Sequence, residues 1–83
     1  MRLLYFGWVK ARIGSGGEEV CLPDGITDVN GLIDWLKARG GAYQEALEDL
    51  SIVRVAVNQE IADFDTAIGP GDEVAMFPPM TGG

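Results

Sequence analysis

The chain has 83 residues, one cysteine and no histidine, and its six Lys plus Arg face thirteen Asp plus Glu for a formal net charge of -7 at pH 7. That length gives one domain with a marginal but adequate core; the single thiol excludes an internal disulfide, and without histidine there is no zinc-ligand set. The negative charge opposes nucleic acid and anionic membrane, points to a basic partner surface, and with the sparse cysteine fits a reducing, cytoplasmic setting.

Residues 2–9 alternate weakly, with Leu3, Tyr5 and Val9 on one side and Leu4, Phe6 and Trp8 on the other. A strand apolar on both faces is central, or its second face meets a partner. The run is too short to span a membrane, and no cleavage-like signal region follows it. Residues 10–13 read as one short turn ahead of Gly14-Ser15-Gly16-Gly17, a loop signal that fits a hairpin tip. Those glycines are not a phosphate cradle, because no Lys-Ser/Thr pair follows them. Glu18 to Leu22 reads as a second strand, closed by the turn sequence Pro23-Asp24-Gly25.

Thr27 or Asp28 can cap a helix whose apolar residues Val29, Leu32, Ile33 and Leu36 fall at i, i+3, i+4 and i+7. Gly31 weakens this helix slightly, and Gly40-Gly41 ends it after the cations Lys37 and Arg39. Residues 42–48 suggest a shorter second helix. From Ile52 the period becomes two, with Val53, Val55 and Val57 facing one way and Arg54, Ala56 and Asn58 the other. Asn58-Gln59-Glu60 turns into a short segment at 61–64, a second tight turn follows at 68–72, and 73–77 is the last strand.

Strand, strand, helix, short helix, strand, short strand, strand is an α+β order in which one main helix covers one face of a mixed sheet. The crossover through the helix sets the first and last strands side by side and parallel in the centre. That is the ubiquitin-like β-grasp arrangement, here a single domain over residues 1–83 with 78–83 expected as an extended flexible tail. The tail, Pro78-Pro79-Met80-Thr81-Gly82-Gly83, has no charged side chain. Adjacent prolines hold it extended, and the five residues from Pro79 to Gly83 would reach roughly 15 Å at about 3.3 Å each. Gly82 and Gly83 have no Cβ, so this backbone fits a channel too narrow for side chains, and the carboxylate of Gly83 is the reactive group on it.

The stretch from Val57-Asn58-Gln59 through Gly69-Pro70-Gly71-Asp72-Glu73-Val74-Ala75 to Phe77-Pro78-Pro79-Met80-Thr81-Gly82-Gly83, with Tyr5-Phe6-Gly7-Trp8-Val9-Lys10 at the other end, resembles the small subunit of molybdopterin synthase, the MoaD family of sulfur carriers. The resemblance covers essentially the whole chain. Its departures are mild: Met80 where a valine is usual, Pro70 before Gly71, and Gly31 inside the helix. It implies that an E1-like activating enzyme uses ATP to adenylate the Gly83 carboxylate and that a persulfide sulfur displaces AMP to leave a thiocarboxylate. The tail, Pro78 to Gly83, would then insert into the large synthase subunit and donate sulfur to cyclic pyranopterin monophosphate, forming the molybdopterin dithiolene. Related synthases assemble as heterotetramers.

Nothing in the chain supplies a general base, a metal site or a nucleotide site, so the resemblance implies a protein substrate that binds no cofactor and whose catalytic side chains belong to its partner. Positions resembling Phe6, Lys10, Ile61 and Phe77 contact partners in the family, and apolar residues on an uncovered sheet face would form such a patch. Cys21 has no base or cation beside it to activate the thiol and reads as a packed or bystander residue. Two alternatives stand: a thiamine-pathway sulfur carrier, a family that is typically shorter and lacks the Phe-Pro-Pro lead, and a ubiquitin-like modifier or adaptor that joins its end to lysines or only binds.

Overall fold

A computed structural model describes residues 1–79. In chain order the elements are β1 (Arg2–Tyr5), α1 (Gly7–Ile13), β2 (Gly17–Glu19), α2 (Val29–Lys37), α3 (Gly41–Ala46), a 3-10 turn (Leu50–Ile52), β3 (Arg54–Val57), β4 (Glu60–Ala62) and β5 (Glu73–Phe77). The five strands form one sheet in the order β2-β1-β5-β3-β4. β1 and β5 are the parallel pair, with Leu3 opposite Val74 and Tyr5 opposite Met76; the other pairings are antiparallel. Strand order and the parallel centre match the β-grasp expectation. Among the described residues no helix is long and apolar enough to cross a membrane.

The first departure from the sequence reading is at Gly7. Residues expected to continue β1 as far as Val9 instead enter α1, so three helices stand where the sequence suggested a main helix and one shorter one. Gly7 has φ +59°, which ends the extended run, and Val9 and Ile13 lie one helical turn apart and face the core. Both spacings satisfy the same apolar residues, so period two concealed a period of 3.6. Gly14, at φ 87°, caps α1 and donates its amide to the Lys10 carbonyl, which makes it a helix stop and not a hairpin tip. β2 is accordingly shorter than residues 18–22.

Asp28 is the cap of α2, its carboxylate accepting from the Gly31 amide at 2.8 Å. A Cβ at Gly31 would sit 3.3 Å from that carboxylate, a tight fit that offsets the low helix propensity of glycine. α2 stops at Lys37, and Gly40, at φ 75°, begins α3 instead of ending α2. Val29, Leu32, Ile33 and Leu36 are all buried, against Leu3, Tyr5, Val55, Val74 and Met76 of the sheet and Leu47 beyond α3.

A polar cluster ties the edge strand β2 to the helices. The Glu18 carboxylate accepts from the hydroxyls of Tyr5 (3.0 Å) and Tyr43 (2.6 Å) and from the Arg39 guanidinium (2.8 Å). Arg39 in turn stacks on Trp35 and Tyr43, 4.7 and 4.9 Å from the ring centroids. Burial pushes the Glu18 carboxyl upward, but the hydrogen bonds from Tyr43, Arg39 and Tyr5 outweigh it and hold the group below its ordinary range. Tyr5 moves the opposite way, raised first by burial and then by the charge of Glu18.

The β3–β4 turn is a two-residue hairpin with positive φ at both Asn58 (52°) and Gln59 (70°). Asn58 is suited to that geometry and is clipped to β5: its amide Nδ2 donates to Asp72, and its Oδ1 accepts from the Glu73 backbone, both at 3.0 Å. Gln59 has no such compensation and is strained there. Gln59→Gly is expected to stabilise the domain by about 0.5–1 kcal/mol, the relief of left-handed strain exceeding the added chain entropy. Thermal melting by circular dichroism should show a rise of a few degrees; a fall would mean that Gln59 is not strained.

Candidate functional site

Strand alternation places Leu3, Tyr5, Val55, Val74 and Met76 on the helix-covered face and the intervening residues on the other. Register then aligns that open face row by row. One row runs Gly17, Leu4, Ala75, Ala56, Ile61 across all five strands. Two residues further along β5 comes Phe77, opposite Arg54 of β3. Phe6 adjoins it: its extended backbone continues the alternation of β1, and its amide donates to the Met76 carbonyl at 3.0 Å. Ile61 is 76% exposed and Phe6 49%, while Phe77 is half-buried.

Three of the four residues singled out from the sequence, Phe6, Ile61 and Phe77, therefore reach one uncovered apolar surface from three elements. Lys10 does not join that row. It is exposed on α1, with its stem lying over Gly16, where a Cβ would be 3.4 Å from the Lys10 Cε. Sequence reading missed the middle of the surface, Ala75 and Ala56, because small residues carry little signal until strand register sets them between Leu4 and Ile61. Cys21 is exposed, which leaves the bystander reading and removes the packed one.

β5 delivers the C-terminal segment directly. Phe77 ends the strand and Pro78 follows against α1: a Cβ on Gly7 would stand 2.6 Å from Cγ and 2.8 Å from Cδ of the Pro78 ring. Gly7 thus meets two demands, a positive φ and a seat for the proline where the chain leaves the sheet. Sequence reading missed this role, and the sole hint was a glycine within an apolar run. Met80, Thr81, Gly82 and Gly83 lie outside the described residues. Gly7→Val places a β-branched residue at a φ that it rarely adopts and drives its methyls into Pro78, so a loss of about 2 kcal/mol is expected. Urea denaturation measures it, and an unchanged midpoint would show that Pro78 is free to move off Gly7.

The fold and the exit together define a ubiquitin-like β-grasp protein whose central strand runs into a proline-led C-terminal segment beside an open apolar face. A model of the ThiS family matches residues 3–83. The molybdopterin synthase sulfur carrier subunit of Escherichia coli is 36% identical over 83 residues, covering 100% of this chain and 99% of the relative. The protein of the same description from Mycobacterium tuberculosis is 39% identical over 84 residues, covering 100% and 96%. Among solved structures, a putative molybdopterin converting factor, subunit 1, from Pyrococcus furiosus superposes with a TM-score of 0.76 at 30% identity over 95% of each chain. This chain belongs to the ThiS family.

Proposed function

We propose that this protein is the sulfur carrier subunit of a molybdopterin synthase in molybdenum cofactor biosynthesis, with sulfur carried on the carboxyl group of Gly83. A carboxylate oxygen attacks the α-phosphorus of ATP on an E1-like activating enzyme, and pyrophosphate leaves. The resulting acyl adenylate is attacked at carbon by the terminal sulfur of a persulfide, AMP departs, and a thiol cleaves the acyl disulfide to release the thiocarboxylate. The tail from Pro78 to Gly83 then enters the large subunit, where the sulfur passes to cyclic pyranopterin monophosphate. ATP belongs to the activating step, and the chemistry takes place in the cytoplasm.

Full-length similarity to sulfur carrier subunits in two organisms carries this reading. The architecture is in keeping with it, since the apolar face at Phe77 leads straight into the segment that would enter the large subunit. The direct test is intact mass after incubation with the activating enzyme, ATP and a persulfide donor. Replacement of one oxygen by sulfur, located at Gly83 by fragmentation, is the expected product; an isopeptide to lysine would favour a protein modifier.

Phe6, Ile61 and Phe77 are the proposed contacts with the large subunit, and Lys10, apart from that row on α1, is a fourth. Phe77→Asp and Ile61→Lys are each expected to weaken that complex at least about tenfold, because an unpaired charge desolvated in an interface costs several kcal/mol. Titration calorimetry reads the affinity and circular dichroism the fold. Unaltered affinity in folded variants would remove this face from the interface.

A further inference from the structure

Behind the sheet, on the helical side, a groove of about 390 Å³ is lined by the apolar Trp8 of α1, buried Ala46 of α3 and Ile52 of the 3-10 turn together with the carboxylates Glu45, Glu48 and Asp49. Ile52 is 45% exposed, one of three large apolar side chains left so open among the described residues, and the other two lie on the sheet face. The only cation lining the groove is Arg12, whose guanidinium rests 5.9 Å from the centroid of the Trp8 ring. Asp49 is engaged locally, accepting from the amide and hydroxyl of Ser51. Glu45 and Glu48 are exposed and have no cationic partner among the described residues.

We propose that this groove docks a basic, partly aliphatic segment of a partner protein, its Lys or Arg heads between Glu45 and Glu48 and its apolar atoms on Trp8 and Ile52. Charge complementarity selects that occupant. Three carboxylates against one guanidinium repel nucleic acid and acidic peptides, and a purely apolar ligand would strip water from the carboxylates without compensation. The three carboxylates do not converge as a metal-ligand group among the described residues. Lys and Arg combine an aliphatic stem with a charged head, and the Trp8 face already holds the guanidinium of Arg12. Trp8 directly follows Gly7 beneath Pro78, so a protein that grips the C-terminal segment can reach this groove around the end of the domain. The inference stands whether or not the chain carries sulfur.

The test is an amide and indole NMR titration of the full chain with the peptide acetyl-Leu-Arg-Lys-Leu-Arg-Lys-amide at low ionic strength. The Trp8 indole and the amides of Glu45, Glu48 and Ile52 should shift together. Glu45→Lys/Glu48→Lys should weaken binding at least about tenfold, whereas the charge-matched Asp63→Lys/Asp65→Lys, on exposed positions away from the groove, should change it less than about twofold. Equal losses in the two variants would reduce the effect to net charge and overturn the proposal. So would shifts centred on Ile61 and Phe77, which would move the basic segment to the sheet face.

Discussion

Adding one alanine after Gly83 is expected to suppress adenylation or sulfur transfer by several orders of magnitude while the domain remains folded. The extension carries the carboxylate outward by about 3.5 Å and adds a Cβ that the proposed channel, fitted to two glycines, would not admit. A displacement of roughly 1 Å at a reacting centre can cost about a hundredfold, so a shift of this size leaves little productive geometry. The open face at Phe6, Ile61 and Phe77 is unchanged by the extension, so affinity for the large subunit should survive far better than turnover. ATP-pyrophosphate exchange on the activating enzyme and conversion of the cyclic precursor by the reconstituted synthase read the two steps separately. Normal rates in both would show that Gly83 is not the carrier atom's site.

Glu18→Ala should be the most destabilising single change outside the apolar core. It strands the hydroxyl of the fully buried Tyr5 without an acceptor and removes the partner of Tyr43 and Arg39. An unsatisfied buried hydroxyl costs about 1–3 kcal/mol, and loss of the charge-assisted bonds brings the total to about 3 kcal/mol, a large share of the roughly 5–15 kcal/mol typical of a folded domain. A drop of at least about 10 °C in Tm is the expected reading. The sign with pH follows from the lowered carboxyl. Because Glu18 titrates lower in the folded state than in the unfolded one, its stabilisation is complete above the ordinary glutamate range and is lost as pH falls through the folded value. The Tm gap between wild type and Glu18→Gln should therefore narrow on acidification. Tyr5 acts at the other extreme: its raised pKa favours the folded state below about pH 10, an advantage withdrawn as the solution becomes more alkaline still. A gap that is constant from neutral to acid pH would mean that Glu18 acts by packing alone.

Much of this was legible in the sequence, and the reasons differ from element to element. α2 is legible because its apolar positions admit one period, β3 because Val53, Val55 and Val57 alternate with Arg54, Ala56 and Asn58, and β5 because the turn at 68–72 and Pro78 bound it. The parallel β1–β5 centre followed from handedness and connection length rather than from any residue. α1 is hidden because Trp8 and Val9 extend the alternation of β1 as readily as they open a helix, and the backbone at Gly7 decides between the two. The Glu18 cluster was out of reach for another reason: Tyr5, Arg39 and Tyr43 lie 13, 21 and 25 residues from Glu18, and no local rule brings them together. Phe6, Ile61 and Phe77 could be named but not joined until register was known.

The position of β5 also has a mechanical meaning. Whatever draws the C-terminal segment into itself pulls on the strand that carries it, and β5 is hydrogen-bonded on both sides, to β1 and to β3. Traction applied at Phe77 runs along the strand, so it loads both ladders in shear and shares the force among many bonds. An edge strand such as β2 or β4, tugged outward, would instead unzip one bond after another. By launching its end from the middle of the sheet, the domain can be towed by that end and keep its shape.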